Sequence, residues 1–277
     1  MDIRKSLIRK IEECADLHPG NRSEGGGRYF DRPLIGFASG ADPLFREYKR
    51  IIGPFHWTPS EIMERAGAPS GGTGSTVVCW ILPIVDSTRM SNRIQTRYPS
   101  RAWGHTRGFG ERFNDELRRV VAEWLVSRGG RAVAPMLMEG WSRLDDPRTG
   151  LASTWSERHA AYAAGLGTFS LNGGLITPRG IAHRCGSVVT DILMEPTRRP
   201  YSDYRENCLT CRGGDCGVCI TRCPAGVISE EGHDKDRCRR YTYGPPFQAL
   251  REEFGVPEVG CGLCQTGVPC ESTIPEG

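Results

Sequence analysis

Nine of the twelve cysteines in this chain lie between residues 208 and 270, and their spacing constrains the fold more than any other feature. The run from Cys216 to Pro224 reads Cys-x2-Cys-x3-Cys-Pro, the spacing with which bacterial ferredoxins hold a cubane [4Fe-4S] cluster. The last cysteine of such a run binds the neighbouring cluster, so one motif requires a second group of thiols elsewhere. That second group follows in the sequence, and the pattern therefore predicts a redox protein with two [4Fe-4S] clusters.

The same logic assigns the cluster ligands. Gly213 stands where a ferredoxin has its first cysteine, so the spacing leaves Cys208 and Cys211 as alternatives for that place. Two zinc sites are the competing interpretation, but zinc ribbons separate their Cys-x2-Cys pairs by about 15–20 residues, and Cys211 and Cys216 are much closer. The expected sets are Cys208 or Cys211 with Cys216, Cys219 and Cys270 for the first cluster, and Cys223, Cys238, Cys261 and Cys264 for the second.

The region before these cysteines alternates predicted strands and helices, which indicates an α/β sandwich. The strand at 76–85 is almost continuously apolar, as in a sheet covered on both faces. A glycine-rich turn is expected at 70–74, and a proline- and charge-rich stretch at 195–206 predicts a boundary between domains 1–200 and 201–277. The other predicted elements are helices at 2–15, 42–52, 109–128 and 156–164, and strands at 33–38, 131–137 and 186–194.

Composition and charge exclude several classes of protein. The formal net charge of +3 does not by itself indicate a nucleic-acid or membrane partner. The amino terminus lacks the apolar stretch of a secretory signal, and no window reaches the ~18 apolar residues needed to cross a bilayer. Because disulfides are rare in the cytoplasm, the nine clustered cysteines are expected to bind metal in a cytoplasmic protein. Cys14, Cys79 and Cys185 lie on apolar patterns and are expected to be buried thiols.

Residues 156–193 and the cysteine-rich segment resemble the epoxyqueuosine reductase family, which is related to the reductive dehalogenases. The resemblance implies a nitroreductase-like α/β sandwich followed by a ferredoxin-like module with two [4Fe-4S] clusters that feed electrons to a bound cobalamin. The matching residues are Glu157-Arg158, Ala164-Gly165-Leu166-Gly167, Asn172, Leu175-Ile176, Gly186-Ser187, Asp236-Arg237-Cys238 and Gly260-Cys261-x2-Cys264-Gln265.

The resemblance also implies where the cofactor and the catalytic groups lie. Glycine near the corrin has a physical reason, because a backbone without a side chain lets a large macrocycle lie close. The family's proton-donating aspartate falls on Leu151, so we expect another acid, and His159 is the candidate, with a purely structural hydrogen bond as the alternative. The predicted cofactor-binding residues are Arg158, Gly165, Leu166, Gly167, Asn172, Ile176, Gly186 and Ser187, and the predicted catalytic residues are His159, Glu157 and Tyr162.

Two classes of function fit these features. The first is a cobalamin-dependent reductase of a small molecule, with tRNA as a further candidate substrate, and the second is an electron-transfer protein that reduces a corrinoid partner. A flavin in the α/β domain is a third possibility. The chain lacks a nicotinamide-binding fingerprint, so ferredoxin or flavodoxin is the expected electron donor. Eight arginines within 89–119 are interpreted as binding phosphates or as a solvated face.

Overall fold

The computed structural model describes residues 2–69 and 74–276, so residues 70–73 of the predicted glycine-rich turn lie outside the described residues. The helices are α1 (Ile3–Leu17), α2 (Leu44–Ile51), α3 (Pro59–Arg65), α4 (Asp86–Arg93), α5 (Arg101–Val126), α6 (Glu157–Ala163), α7 (Val218–Thr221), α8 (Lys235–Thr242) and α9 (Pro245–Phe254). The strands are β1 (Leu34–Ser39), β2 (Thr76–Pro83), β3 (Ala132–Val133), β4 (Arg143–Asp146), β5 (Gly150–Ser153), β6 (Thr168–Phe169), β7 (Leu175–Ile176), β8 (His183–Thr190), β9 (Ile228–Ser229) and β10 (Gly232–His233).

A four-stranded sheet in the order β1-β2-β8-β3 forms the centre of the fold, and each neighbouring pair is antiparallel. Every residue of β2 is buried. Successive side chains of a strand point to opposite faces, so Val78 and Trp80 join the core beneath α1 and α5, whereas Val77 and Cys79 join the core beneath α2, α3 and α6. The predictions of an α/β fold and of a strand covered on both faces are confirmed.

The longest helix, α5, begins at Arg101, eight residues before the predicted start at 109. The Ser100 hydroxyl caps it by accepting the Trp103 N–H at 3.1 Å. Glycines at 104, 108 and 110 made this stretch look like a loop, because glycine is a poor helix former. The predicted start of this helix was therefore wrong, because these glycines allow close packing and do not end the helix.

Two other predicted strands differ from those observed. The strand expected at 131–137 continues only from Ala132 to Val133, because Pro135 has no backbone N–H to donate and begins a short 3-10 helix. The strand expected at 186–194 begins earlier, at His183, and ends at Thr190. The expected boundary segment runs beside β1, where the Thr197 N–H donates to the Phe37 carbonyl at 2.8 Å. The division into two domains stays a prediction.

The glycines of α5 allow the C-terminal part of the chain to pack closely against this helix. A Cβ atom at Gly104 would lie 2.8 Å from Phe254 Cδ2, closer than carbon atoms can approach without a shift. A Cβ atom at Gly108 would meet Pro257 Cδ at 3.0 Å. Helix α9 and the segment that leads to Cys261 therefore pack directly on the backbone of α5. Within the described ranges, no helix is long and apolar enough to cross a membrane.

We expect Gly104→Val to destabilise the protein by about 1–3 kcal/mol, because the added methyl groups overpack the contact with Phe254. The measurement is the apparent free energy of unfolding in denaturant under anaerobic conditions. Ala102→Val is the matched control, since Ala102 is exposed on the same helix and valine there costs less than about 1 kcal/mol. Equal effects of the two substitutions would contradict close packing at Gly104.

Candidate metal centre and adjoining cleft

Four cysteines from distant parts of the chain form the first thiol group. Burial, followed by the nearby thiolates of Cys208, Cys219 and Cys216, raises the pKa of Cys270 to about 12. Burial and the thiolates of Cys208 and Cys216 raise the pKa of Cys219 to about 11. A neighbouring thiolate raises the pKa of a thiol in this way only when the two are close. The fold therefore brings together Cys208, Cys216, Cys219 and Cys270.

Cys223, Cys238, Cys261 and Cys264 form the second thiol group. Burial raises the pKa of Cys261 to about 12, and the thiolates of Cys238 and Cys223 add to the effect. Burial and the thiolates of Cys261, Cys238 and Cys223 raise the pKa of Cys264 well above its ordinary value. The chain therefore crosses between the groups, because Cys223 leaves the run that supplies the first group. Both groups have the members expected from the spacing, and iron binding by them stays a prediction.

These donor sets suit a multinuclear cluster. Crowded, buried thiols resist ionisation, and a bound cationic cluster would remove that cost by neutralising the thiolates. Glycines with positive φ shape both loops, at Gly217 (φ 61°) and Gly262 (φ 67°), and Trp103 leaves no space for a Cβ atom at Gly262. Among the described residues, no three or more His, Cys, Asp and Glu side chains are arranged to hold a single metal ion.

Cys208 and Cys211 occupy different positions relative to the first group. Cys208 is 7% exposed, and its thiolate is near both Cys219 and Cys270. Cys211 is half-buried, and burial, then a hydrogen bond with Cys208, raises its pKa to about 11, with a smaller effect of Cys219. The geometry therefore favours Cys208 as the member of the group and Cys211 as its neighbour. The remaining cysteines, Cys14, Cys79 and Cys185, lie in the two faces of the sheet core, as expected.

Arginines of the 89–119 stretch anchor the cysteine-rich segment. Glu271, directly after Cys270, is 4% exposed and accepts hydrogen bonds from Arg89 Nε at 3.2 Å and from Arg93 Nη2 at 2.6 Å. Arg107 pairs with Glu258 at 2.5 Å. Carboxylates of this chain, the buried Glu271 and the half-buried Glu258, engage these three arginines, and phosphate binding by the stretch stays a prediction.

A cleft of about 250 Å³ lies beside the second thiol group. Its lining includes Cys223, Cys238, Cys261 and Cys264 together with Arg158 and Asn172. Asn172 fixes this arrangement, since its Nδ2 donates to the Cys264 carbonyl at 2.8 Å and its Oδ1 accepts the Gly174 N–H at 2.9 Å. Two of the predicted cofactor-binding residues thus lie next to the second thiol group.

The other predicted cofactor-binding residues lie in the protein core. A Cβ atom at Gly167 would be 2.3 Å from the Ile176 carbonyl oxygen, and one at Gly165 (φ 77°) would be 2.8 Å from the Arg198 carbonyl oxygen. The close approach that these glycines permit is therefore to the backbone of the chain itself. Leu166 and Ile176 are buried, Ile176 beneath the first thiol group, and Gly186 packs on the Trp80 indole.

Glu157 and Ser187 belong to a buried ionic network. Arg118, which is fully buried, pairs with Glu157 at 3.2 Å and with Glu111 at 3.0 Å. The Ser187 hydroxyl donates to Glu157 and accepts the Trp155 indole N–H at 3.0 Å. Burial raises the pKa of Glu157, and Arg118 opposes this effect. Both Glu157 oxygens are occupied, so the position stabilises the contact of α6 with the sheet, and a catalytic role stays a prediction.

His159 and Tyr162 form part of an aromatic cluster on α6. His159 Nδ1 shares a 2.8 Å hydrogen bond with the Ser156 hydroxyl, and its ring packs on Phe169 at 4.7 Å between centroids. Burial, then the charge of Arg158, lowers the pKa of His159 well below its ordinary value, so it is neutral at pH 7. The Tyr162 ring stacks on Tyr201 at 5.1 Å.

Leu151, on β5, pairs with Asp145 across the hairpin, and Asp145 binds Arg239 at 2.6 Å.

Sequence reasoning missed two basic residues near the cleft. His233 lines it, and Lys235 begins α8 beside it, with Nζ donating to the Thr149 carbonyl at 3.0 Å. The sequence feature that could have identified them is their position in the Gly-His-Asp-Lys segment just before Cys238.

Comparison with known proteins agrees with this geometry. No protein-family model matches the chain. The curated epoxyqueuosine reductase of Staphylococcus aureus (strain NCTC 8325 / PS 47) is 29% identical over 119 residues, which cover 41% of this chain and 29% of that protein. The match thus spans less than a third of the length of the relative.

Solved structures share the fold over nearly the whole chain. An epoxyqueuosine reductase with an epoxyqueuosine-modified tRNA-Tyr stem loop has a TM-score of 0.54 at 20% identity, covering 97% of this chain and 65% of that one. The Bacillus subtilis epoxyqueuosine reductase with its catalytic aspartate loop swung out also scores 0.54, at 19% identity, covering 99% and 69%. A catabolic reductive dehalogenase scores 0.51 at 15% identity, covering 98% of this chain and 37% of its own.

The fold is therefore one that epoxyqueuosine reductases share with a reductive dehalogenase. Within that class, the sequence match is to epoxyqueuosine reductase. The chain therefore resembles the epoxyqueuosine reductases in part of its sequence and in its fold, and the resemblance predicted from the sequence is confirmed.

We expect Cys208→Ser to lose about four of about eight iron atoms per chain, and Cys211→Ser to keep them, because Cys208 lies within the first thiol group. Iron is counted after anaerobic reconstitution. Cys14→Ser, in the sheet core, is the control for the loss of a buried thiol. Iron loss in Cys211→Ser alone would assign the ligand position to Cys211.

The stability of the fold should fall in mild acid. His56 is 1% exposed, its Nε2 accepts the Ser156 N–H at 3.2 Å, and burial lowers its pKa to about 4. In the unfolded chain His56 takes up a proton below pH ~6.5, whereas in the folded protein it stays neutral down to a pH of about 4. The free energy of unfolding that His56 contributes above pH ~6.5 is therefore lost as the pH falls between these two values. His56 alone should contribute about 2 kcal/mol of the loss between pH 7 and pH 5.

The measurement is the apparent free energy of unfolding at pH 7 and pH 5, under anaerobic conditions, for the natural chain and for His56→Asn. The pH dependence should be smaller in the variant. His18→Gln, at a half-buried histidine before a short 3-10 helix, is the matched control. An unchanged pH dependence in His56→Asn would show that His56 does not titrate as inferred.

Proposed function

We propose that the chain is an iron–sulfur oxidoreductase in which two [4Fe-4S] clusters deliver low-potential electrons to a bound cobalamin. The crossing of the thiol groups carries the proposal. Cys223 continues the run of the first group but joins the second, and Cys219 of the first group contributes to the raised pKa of Cys264 in the second. Two clusters held in this way would be neighbours, which suits electron transfer from one to the other.

The likeness of fold supports the same proposal. It covers 97–99% of this chain in the epoxyqueuosine reductases, so both the sheet and the cysteine-rich segment have counterparts there. We further propose that the two regions correspond to a nitroreductase-like domain at 1–200 and a ferredoxin-like module at 201–277. A ferredoxin or flavodoxin would donate the electrons.

A cobalamin, when bound, supplies a reduced cobalt centre for attack on or coordination of the substrate. The residues of this chain would position that chemistry. Asn172 holds the β6–β7 turn against the Cys264 loop, and Arg158 fixes the same turn by donating to the Gly173 carbonyl. Trp103, Ile84 and Ile228 provide apolar walls that exclude water from the cleft. The substrate is proposed to be a small molecule, and tRNA, to which one related structure is bound, is the further candidate.

A second function is favoured by specific observations. Leu151 occupies the position of the expected proton donor, and Gly165 and Gly167 approach the chain's own backbone. Both fit an electron-transfer protein that reduces a corrinoid partner without binding a cobalamin of its own.

Metal content after anaerobic purification with added hydroxocobalamin separates these functions. The proposed reductase should hold about eight irons and one cobalt per chain, with the absorbance of both cofactors. About eight irons without cobalt would contradict the reductase and support the electron-transfer protein. Fewer than about four irons would contradict both.

A further inference from the structure

The cleft beside the second thiol group is basic. Its lining contains five basic residues and, among the described residues, no aspartate or glutamate. The basic residues are Arg107, Arg158, His183, Arg184 and His233. Burial lowers the pKa of His183 to about 4 and the pKa of His233 below its ordinary value, so the positive charge of the wall comes from its three arginines, which attract anions.

Two of these arginines are neutralised by carboxylates behind the wall. Arg184 Nε donates to Glu111 at 2.6 Å, and Arg107 pairs with Glu258 at 2.5 Å. Burial opposes the ionisation of Glu111, but Arg184, Arg118 and Arg107 outweigh it and hold its pKa at about 2. The charges of Arg107 and Arg184 are therefore already balanced.

Arg158 is different. Within residues 2–69 and 74–276 it forms no ion pair, and its guanidinium donates only to the Gly173 carbonyl, which leaves most of its N–H groups available. Arg158 is exposed and lines the cleft, and an arginine stays protonated at pH 7, so its charge does not require a paired carboxylate. It is thus the uncompensated positive charge of the wall.

Two further basic groups lie close to Arg158. A Cβ atom at Gly173, whose carbonyl binds Arg158, would be 3.8 Å from His233 Nδ1. His233 Nε2 is buried and has no hydrogen-bond partner within the part of the chain that the structure describes. Lys235 is exposed beside the cleft, and after burial the charge of Arg158 is the next cause that lowers its pKa. Arg158 and His233 therefore share the lining of the cleft, and Lys235 lies close enough to Arg158 for the charge of Arg158 to lower its pKa.

We infer that Arg158, His233 and Lys235 bind a carboxylate or phosphate group of the substrate at the edge of the cleft. A guanidinium presents two parallel N–H groups to an oxyanion, an ammonium adds a point charge, and the imidazole nitrogen at His233 completes the ring of polar groups. The inference rests on the proposed function, because it takes the cleft to be the place of reduction. It narrows the substrate class to small acids and phosphate esters.

A competing explanation is that Arg158 balances the negative charge of a cluster held by the second thiol group. The two explanations differ in what binds. Charge balance alone predicts no binding of a free anion, whereas the inferred site predicts saturable binding close to that cluster.

Nuclear relaxation tests the site in the iron-loaded protein. The protein is reduced electrochemically, so that no reductant adds a competing oxyanion, and the paramagnetic cluster then speeds the relaxation of nuclei bound nearby. The probes are inorganic phosphate, observed by ³¹P, and benzoate, observed by ¹H. We expect saturable relaxation enhancement of at least one probe. Its affinity should fall about tenfold in Arg158→Gln and in Lys235→Gln, because each removes a charged hydrogen bond.

Arg9→Gln, at an exposed arginine of α1, is the control and should bind as the natural chain does. Iron content shows whether each variant is folded, and the exposed Lys235 variant keeps the test decisive if Arg158→Gln is unstable. No enhancement in the natural chain, or equal affinity in all variants, would overturn the inference.

A final arm separates the substrate from the cofactor. If the probe still binds after hydroxocobalamin is loaded, the site serves the substrate. Loss of probe binding on loading would mean that the cofactor's own phosphodiester occupies the site, which would overturn the assignment to substrate. Since probe binding is first measured without cobalamin, a failure to bind cobalt would contradict the proposed function separately.

Discussion

The structure depends on the way in which the segment at Cys270 and Glu271 is tied to the sheet. The Ile181 and Ala182 N–H groups, just before β8, donate to the carbonyls of Cys270 and Glu271 at 2.9 and 3.2 Å. The buried Glu271 carboxylate binds Arg89 and Arg93 of α4. A buried carboxylate without these partners would carry a large desolvation cost, so the two arginines and the carboxylate have to come together for the segment to fold. The fourth thiol of the first group is placed by this contact.

The same principle extends through the interior. Arg118 is enclosed by Glu111, Glu157 and Asp115. Arg222 joins the cysteine-rich segment to α4 by donating to the carbonyls of Leu263, Thr266 and Asn92. Charged groups that are buried in pairs specify one arrangement of elements, because any other arrangement leaves a charge without its partner. Arg89, Arg93 and Arg107 of the arginine-rich stretch therefore join the α/β region to the cysteine-rich segment.

The predictable parts of the fold were those with a local signal. The apolar run of β2 and the apolar stripe of α1 gave such a signal. The cysteine spacing predicts which thiols converge, and their assignment as cluster ligands stays a prediction. The start of α5 was not readable, because Gly104 and Gly108 are explained only by Phe254 and Pro257, about 150 residues away. His233 and Lys235 were missed for a similar reason, since their proximity to Arg158 is created by the tertiary fold.

The glutamate after Cys270 replaces the proline of a free ferredoxin, and this has a kinetic consequence. A diffusing carrier must find its acceptor at every turnover, and the encounter limits the rate. In the proposed enzyme the carrier would be fastened to the catalytic scaffold, so the path inside the molecule would have a constant length and each electron that arrives would already be beside its destination. Supply from the external donor would then set the pace of the proposed enzyme, and crowding or dilution of a partner would affect only that first transfer.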